Sequence, residues 1–215
     1  RAGPTPRRKC GGTVTVTVAP EDVLWFWLGD VDGDGLADRA LTQRWWRKDP
    51  EFDQEIRAKF EPTWQAIMAG DREAWLEDPH SRLAFVIVLD QLSRNMFRGT
   101  ARMFEGDAKS LAAAADGVKT GMDRVLHGHE RVFFYMPFMH SEELAMQDRC
   151  IALFTALRDQ SEGRVREAVA SNVDYARQHR DLIARWGRFP HRNAVLERAS
   201  SAEELEFLKQ PNSPF

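Results

Sequence analysis

From Leu83 to Leu89 the chain is apolar without a break, and it then turns polar through Asp90, Gln91, Arg94, Asn95 and Arg98. A run of this length suits a buried strand or a buried helix equally well, so its punctuation has to separate them. Asp78 suits an N-cap, Pro79 a first helical turn and Gly99 a left-handed C-terminal residue. Together they predict one helix of roughly twenty residues and about 30 Å. Its first half is expected to be fully buried. Its second half sets Asp90, Arg94 and Arg98 at intervals of four, and such a stripe either closes on itself as ion pairs or lines a site.

The rest of the chain follows a helical period. Pro20, Glu21 and Asp22 open a helix with an apolar face of Val23, Leu24, Phe26 and Trp27, and Gly29 ends it. Asp49 caps and Pro50 begins a helix whose stripe of Phe52, Ile56, Phe60, Trp64 and Ile67 runs up to Gly70. Asp107 reads as the cap of an alanine-rich helix ending near Gly121. Ser141 reads as the cap of the next, with Glu142 and Glu143 in its first turn and Met146, Cys150, Leu153, Phe154 and Leu157 inward. A longer helix from about Glu162 to Trp186 turns Val165, Val169, Val173, Ala176, Ile183 and His179 to one side. Gly187 closes it, Pro190 opens another, and Ser201-Ala-Glu-Glu204 is a capping box for a last helix before Pro211. Nothing after residue 20 reads as a strand, and short connections favour antiparallel neighbours, so the expected fold is an all-α antiparallel helix array of about ten helices.

Composition narrows the class. No run of about twenty apolar residues is present to span a bilayer. A formal charge of −3 and a pI near 6.1 argue against nucleic acid held by the overall field. Cys10 and Cys150 give neither a disulfide framework nor a zinc spacing, and a reducing, cytoplasmic setting is expected. Residues 1–18 read as a leader or cloning-derived segment preceding one domain over 19–215, with Thr13 to Val18 alternating like a short strand. Asp30-Val-Asp-Gly-Asp-Gly35 mimics a calcium loop, but its twelfth position is Leu41 rather than the closing carboxylate, so a solvated turn is expected.

A set of motifs stands out against this pattern. They are Trp45-Trp46 with Lys48-Asp49-Pro50 and Phe52-Asp53, Leu89-Asp90-Gln91 with Arg94-Asn95 and Arg98-Gly99, Tyr135-Met136-Pro137 with His140-Ser141-Glu142, and Arg185 to Asn193. With them the chain resembles, from Pro20 to Phe215, a bacterial family described as domain of unknown function 924. The resemblance implies an all-α fold like the tetratricopeptide superhelices, and it implies no reaction, cofactor or catalytic residue. No repeat period is visible, so the superhelix rests on the resemblance. Trp25 stands where the family pattern has an acid and Trp186 where it has Phe; if that acid belongs to a site, this chain lacks part of it.

Two chemistries compete for the polar residues. His140 and Glu143, read as one turn apart, with His179 and His191, suggest a catalytic acid, base or metal-assisted hydrolysis; the spacing is poor, and no metal or other cofactor is expected. The stronger pattern is anionic recognition. Between Arg177 and Arg198 there are six arginines against Asp181 and Glu197. Arg188 and Arg192 bracket Pro190, and Asn193 adds a donor. The expected site therefore holds Arg188, Arg192, Asn193, Arg94, Arg98 and Asp90, for a small carboxylate or phosphate compound or an acidic peptide end. The alternative is that these arginines pair internally with Asp90, Glu142, Glu143 or Asp148 and lock the helices together. Trp186 and Phe189 could stack on nucleic acid, which the acidic balance elsewhere disfavours.

Overall fold

The computed structural model describes residues 17–210, and every regular element among them is helical. The α-helices are α1 (Pro20–Leu28), α2 (Arg39–Trp45), α3 (Pro50–Ala69), α4 (Pro79–Ile87), α5 (Ser93–Met96), α6 (Asp107–Thr120), α7 (Gly128–His140), α8 (Leu144–Gln160), α9 (Gly163–Trp186) and α10 (Ala202–Leu208). Short 3-10 turns sit between several of them. The segment expected to be a leader, including most of the alternating Thr13 to Val18 stretch, lies almost wholly outside the described residues. No described helix is long and apolar enough to cross a membrane.

Local chemistry explains most helix ends. Asp49 Oδ1 accepts the N–H groups of Glu51 and Phe52 at 3.2 and 3.3 Å, and Gly70 closes α3 at φ 89°. Asp78 Oδ1 accepts His80 N and Ser81 N at 3.0 Å to start α4. Ser201 and Glu204 form the capping box of α10 at 3.1 and 2.7 Å. The α3 stripe is buried throughout.

The apolar run becomes the axis of the molecule. Every residue from Leu83 to Leu89 is wholly inaccessible, because α1, α6, α7 and the turn Glu73–Glu77 pack around α4. The rod then departs from α geometry: Val88–Leu92 is a π turn that joins α4 to α5. A widened turn frees main-chain carbonyls, and side chains take them up here. Ser93 Oγ donates to Leu89 O at 2.5 Å, and Arg94 Nη1 donates to Asp90 O. The helix stops at Met96, three residues short of Gly99, as Phe97 turns onto the Trp64 ring and Arg98 onto Asp53.

Three predicted starts are displaced. Asp107 is the first residue of α6 rather than its cap, and its carboxylate points to arginines instead of its own backbone. Helix α8 begins at Leu144, two residues later than Ser141 predicts, because Glu142 leaves the helical path to reach Arg198 and Phe189 N. Pro190 opens only a three-residue 3-10 turn, Pro190–Arg192. The end of α9 and the segment beyond it share a small apolar cluster, Leu182, Ile183 and Phe189 with Trp186 and Phe207 against it. In the Asp30 to Gly35 loop, Asp32 Oδ1 accepts Asp34 N and Leu36 N while Oδ2 pairs with Arg164 at 2.9 Å.

Candidate functional site

The π turn sets Asp90 against the last residue of α7. Asp90 is fully buried, and its two oxygens lie 2.8 and 3.0 Å from His140 Nδ1. A carboxylate only accepts, so the neutral imidazole carries its proton on Nδ1 and its lone pair on Nε2. Gln91 Nε2 donates to Asp90 Oδ2 at 2.6 Å, and Arg94 Nη1 stands 3.3 Å from Oδ1. Burial alone would raise the Asp90 carboxyl; Arg94 and His140 outweigh it and hold the group well below the usual carboxylate range.

Arg94 bridges to α6 by a parallel pair of bonds to Asp107, both 3.0 Å. Arg192 reaches the same carboxylate at 3.3 Å and donates to His140 O at 2.9 Å. Its guanidinium is clamped between the rings of Phe104 and Phe189, each centroid 4.5 Å away. Arg192 is 7 % exposed, and its Nε is buried without an acceptor. Burial first, and the neighbouring Arg94 second, lower its pKa to about 10.

Histidines from two further segments complete the cluster. His179 Nδ1 lies 2.8 Å from Tyr175 O, which fixes the proton on that nitrogen, and its ring centre is 6.3 Å from that of His140. Phe189 stacks edge-on to His179 at 5.6 Å and lies 5.4 Å from His191. Burial, then the charge of a neighbouring histidine or arginine, pushes His179 and His191 down to about 3, and burial with Arg94 lowers His140. All three imidazoles are therefore neutral at pH 7.

The structure brings together Asp90, Arg94, Arg192, His140, His179 and His191, and it separates the rest of the expected set. Arg188 turns away to Glu204, with both contacts at 2.8 Å. Arg98 is held by Asp53 at 2.6 and 2.9 Å. Asn193 is buried between Ser200 and Arg198, and Glu143 is exposed. The expected helix start after Phe189 is a short turn whose first N–H is already taken. The turn is too short to carry a dipole, and Phe189 N already donates to Glu142 Oε1 at 2.8 Å. Each of the six arginines has a carboxylate partner: Arg177 with Asp174, Arg180 with Asp148, Arg185 with Glu203, Arg188 with Glu204, Arg192 with Asp107 and Arg198 with Glu142. Among the described residues, no group of three or more His, Cys, Asp or Glu side chains is placed to hold a metal ion.

Sequence reasoning passed over Asp107, Phe104 and the π turn. Asp107 was indistinguishable from a cap, and Phe104 lies in a turn with no periodicity. The available signal for the distorted turn was the crowding of Asp90, Gln91, Arg94 and Asn95 directly after a wholly apolar run. Trp25, the departure from the family pattern, is 66 % exposed on α1, and Trp186 packs on Phe207.

Comparison with known proteins agrees with the helical architecture. A search of the curated proteins found no match. A solved structure from Agrobacterium tumefaciens, described as a protein of unknown function, ATU0120, is 34 % identical, with a TM-score of 0.75 over 88 % of this chain and 96 % of that one. The family described as bacterial protein of unknown function (DUF924) matches residues 23–212, and with the apolar rod, its polar extension and the Arg185 to Asn193 segment all inside that span, the chain belongs to this family.

Proposed function

We propose that the chain is a helical binding module that takes a small compound carrying a carboxylate or phosphate at the mouth of the Asp90, Arg94, His140 and Arg192 cluster. The observation that carries this reading is Arg192. Its planar cation is clamped between two rings with Nε buried and without an acceptor. A buried donor left unsatisfied costs about 1–3 kcal/mol and more when it is charged, a cost that a ligand oxygen reaching Nε would remove. The mouth is built from Arg94, His140 and Asp107, which keep 17, 15 and 20 % of their side chains in solvent. The tetratricopeptide-like course of the helices belongs to the same reading, supported by α8 and α9, which pack together across a two-residue link.

Thermal-shift screening of small acids against wild type and Arg192→Lys tests it. Lysine keeps the charge and loses the planar fork, so acid-dependent stabilisation is expected in wild type and should be reduced in the variant. If no acid stabilises the wild type, and the variant melts several degrees lower, the cluster is a structural ion-pair network.

A second reading, an enzyme using the same cluster, is favoured by the Asp90 and His140 pair. A carboxylate that fixes the imidazole tautomer leaves the Nε2 lone pair aimed away from it, the orientation a general base requires. Product formed from a small acid by wild type and lost in His140→Gln supports it. Binding without turnover leaves the module.

A further inference from the structure

We propose that an anion entering the Asp90, Arg94, His140 and Arg192 cluster brings a proton with it, taken up from solvent by His140 Nε2. This rests on the binding-module reading and specifies how the site admits charge. Without ligand, the inner cluster is balanced: Arg94 and Arg192 carry two positive charges, Asp90 and Asp107 two negative ones, and the ion pairs between them are 3.0 to 3.3 Å long. Glu142, two residues beyond His140, is matched by Arg198 at 2.7 Å. An added anion upsets that balance in a place where unbalanced charge is expensive.

The tautomers point to the remedy. Asp90 fixes the His140 proton on Nδ1, so the neutral ring turns a lone pair, not a donor, toward anything approaching Nε2. That imine nitrogen repels an oxyanion, whereas an imidazolium at His140 offers it an N–H and keeps its bond to Asp90. The groups facing His140 act in opposite senses. Asp90 and Asp107 favour the charged ring, while burial and Arg94 oppose it; Arg192, bonded to His140 O, adds a second positive charge beside it, and His179 and His191 face it as neutral rings. A bound anion adds to the first set and neutralises the positive charges of the second, so binding and protonation are thermodynamically linked and each strengthens the other.

The test is calorimetric titration of the whole chain with sulfate and with acetate, neither of which changes charge appreciably between about pH 6 and 8. Each titration is run in two buffers of different ionisation enthalpy. Uptake of about one proton per anion is expected, with affinity falling by up to about tenfold per pH unit as pH rises. His140→Gln supplies a neutral N–H donor, so it should bind with no proton uptake and a flat pH profile. Binding that is independent of buffer and pH overturns the coupling and leaves the site intact. Proton uptake that persists in His140→Gln overturns the assignment to His140. Failure of both anions to bind at either pH overturns the site reading itself and the coupling with it.

Discussion

Removing the Asp90 carboxylate is the most direct perturbation of this architecture. In Asp90→Ala, His140 Nδ1–H loses an acceptor at 2.8 Å, Gln91 Nε2 loses one at 2.6 Å, and Arg94 loses a charge partner at 3.3 Å, all in a fully buried setting. Breaking a buried ion pair by deleting one partner costs about 3–5 kcal/mol. Arg94 keeps its two bonds to Asp107, so compensation is partial and the loss belongs near the lower end, about 3 kcal/mol. In a domain of this size each kcal/mol moves Tm by about 2–4 °C, which gives a fall of about 6–12 °C. Asp90→Asn keeps the shape and one acceptor oxygen but not the charge, and about half the loss is expected. Urea unfolding followed by circular dichroism measures both, with the slope unchanged if the unfolded state is unaffected. A shift in Asp90→Ala below about 0.5 kcal/mol, the range of ordinary surface substitutions, would refute the reasoning.

Three further outcomes are expected. Arg198→Ala removes two bonds to Glu142, one to Phe189 O and one to Asn193 Oδ1, so amide exchange should rise across residues 187–208 with α4 unaffected; uniform exchange would show that these bonds do not fasten the segment. In Gly128→Ala, the added Cβ would lie 2.4 Å from Gly35 O at a φ of +43°, where neither backbone yields, so a loss of about 2 kcal/mol or more is expected and an unchanged urea midpoint would contradict it. Stability should also fall on mild acidification. His129, His140, His179 and His191 all have lowered pKa values in the fold, about 3 for His179 and His191, so below about pH 6.5 the unfolded chain binds protons that the folded chain refuses. That contribution is complete above about pH 6.5 and is lost toward the folded values, at up to about 1.4 kcal/mol per pH unit for each group. Asp90 and Glu142, depressed instead, add their loss only below about pH 4. A urea midpoint that stays constant from pH 7 to about pH 5 would sink this account.

What could be read from the sequence was local. The α3 stripe with Asp49, Pro50 and Gly70, the close of α9 at Gly187, the capping box at Ser201 and the burial of the Leu83 to Leu89 run all involve residues within one or a few turns of each other. Periodicity and capping chemistry act over that distance, and they settle helix identity and core face before any tertiary contact forms. The site depended on contacts between distant residues. Asp107 carries the same side chain whether it caps α6 or bridges Arg94 and Arg192; only the arrival of Arg192, 85 positions later in the chain, decides for the bridge. Glu142 leaves the expected first turn of α8 because Arg198 and Phe189 N reach it from the C-terminal segment, and Arg188 abandons the expected anion site because Glu204 lies beside it. The π turn at Asp90 is likewise a tertiary product, stabilised by its bond to His140 from α7. Charged side chains find partners wherever the packed helices bring them, so their type and spacing announced a polar cluster, and the packing of α5, α6, α7 and α9 with the C-terminal turn chose its members.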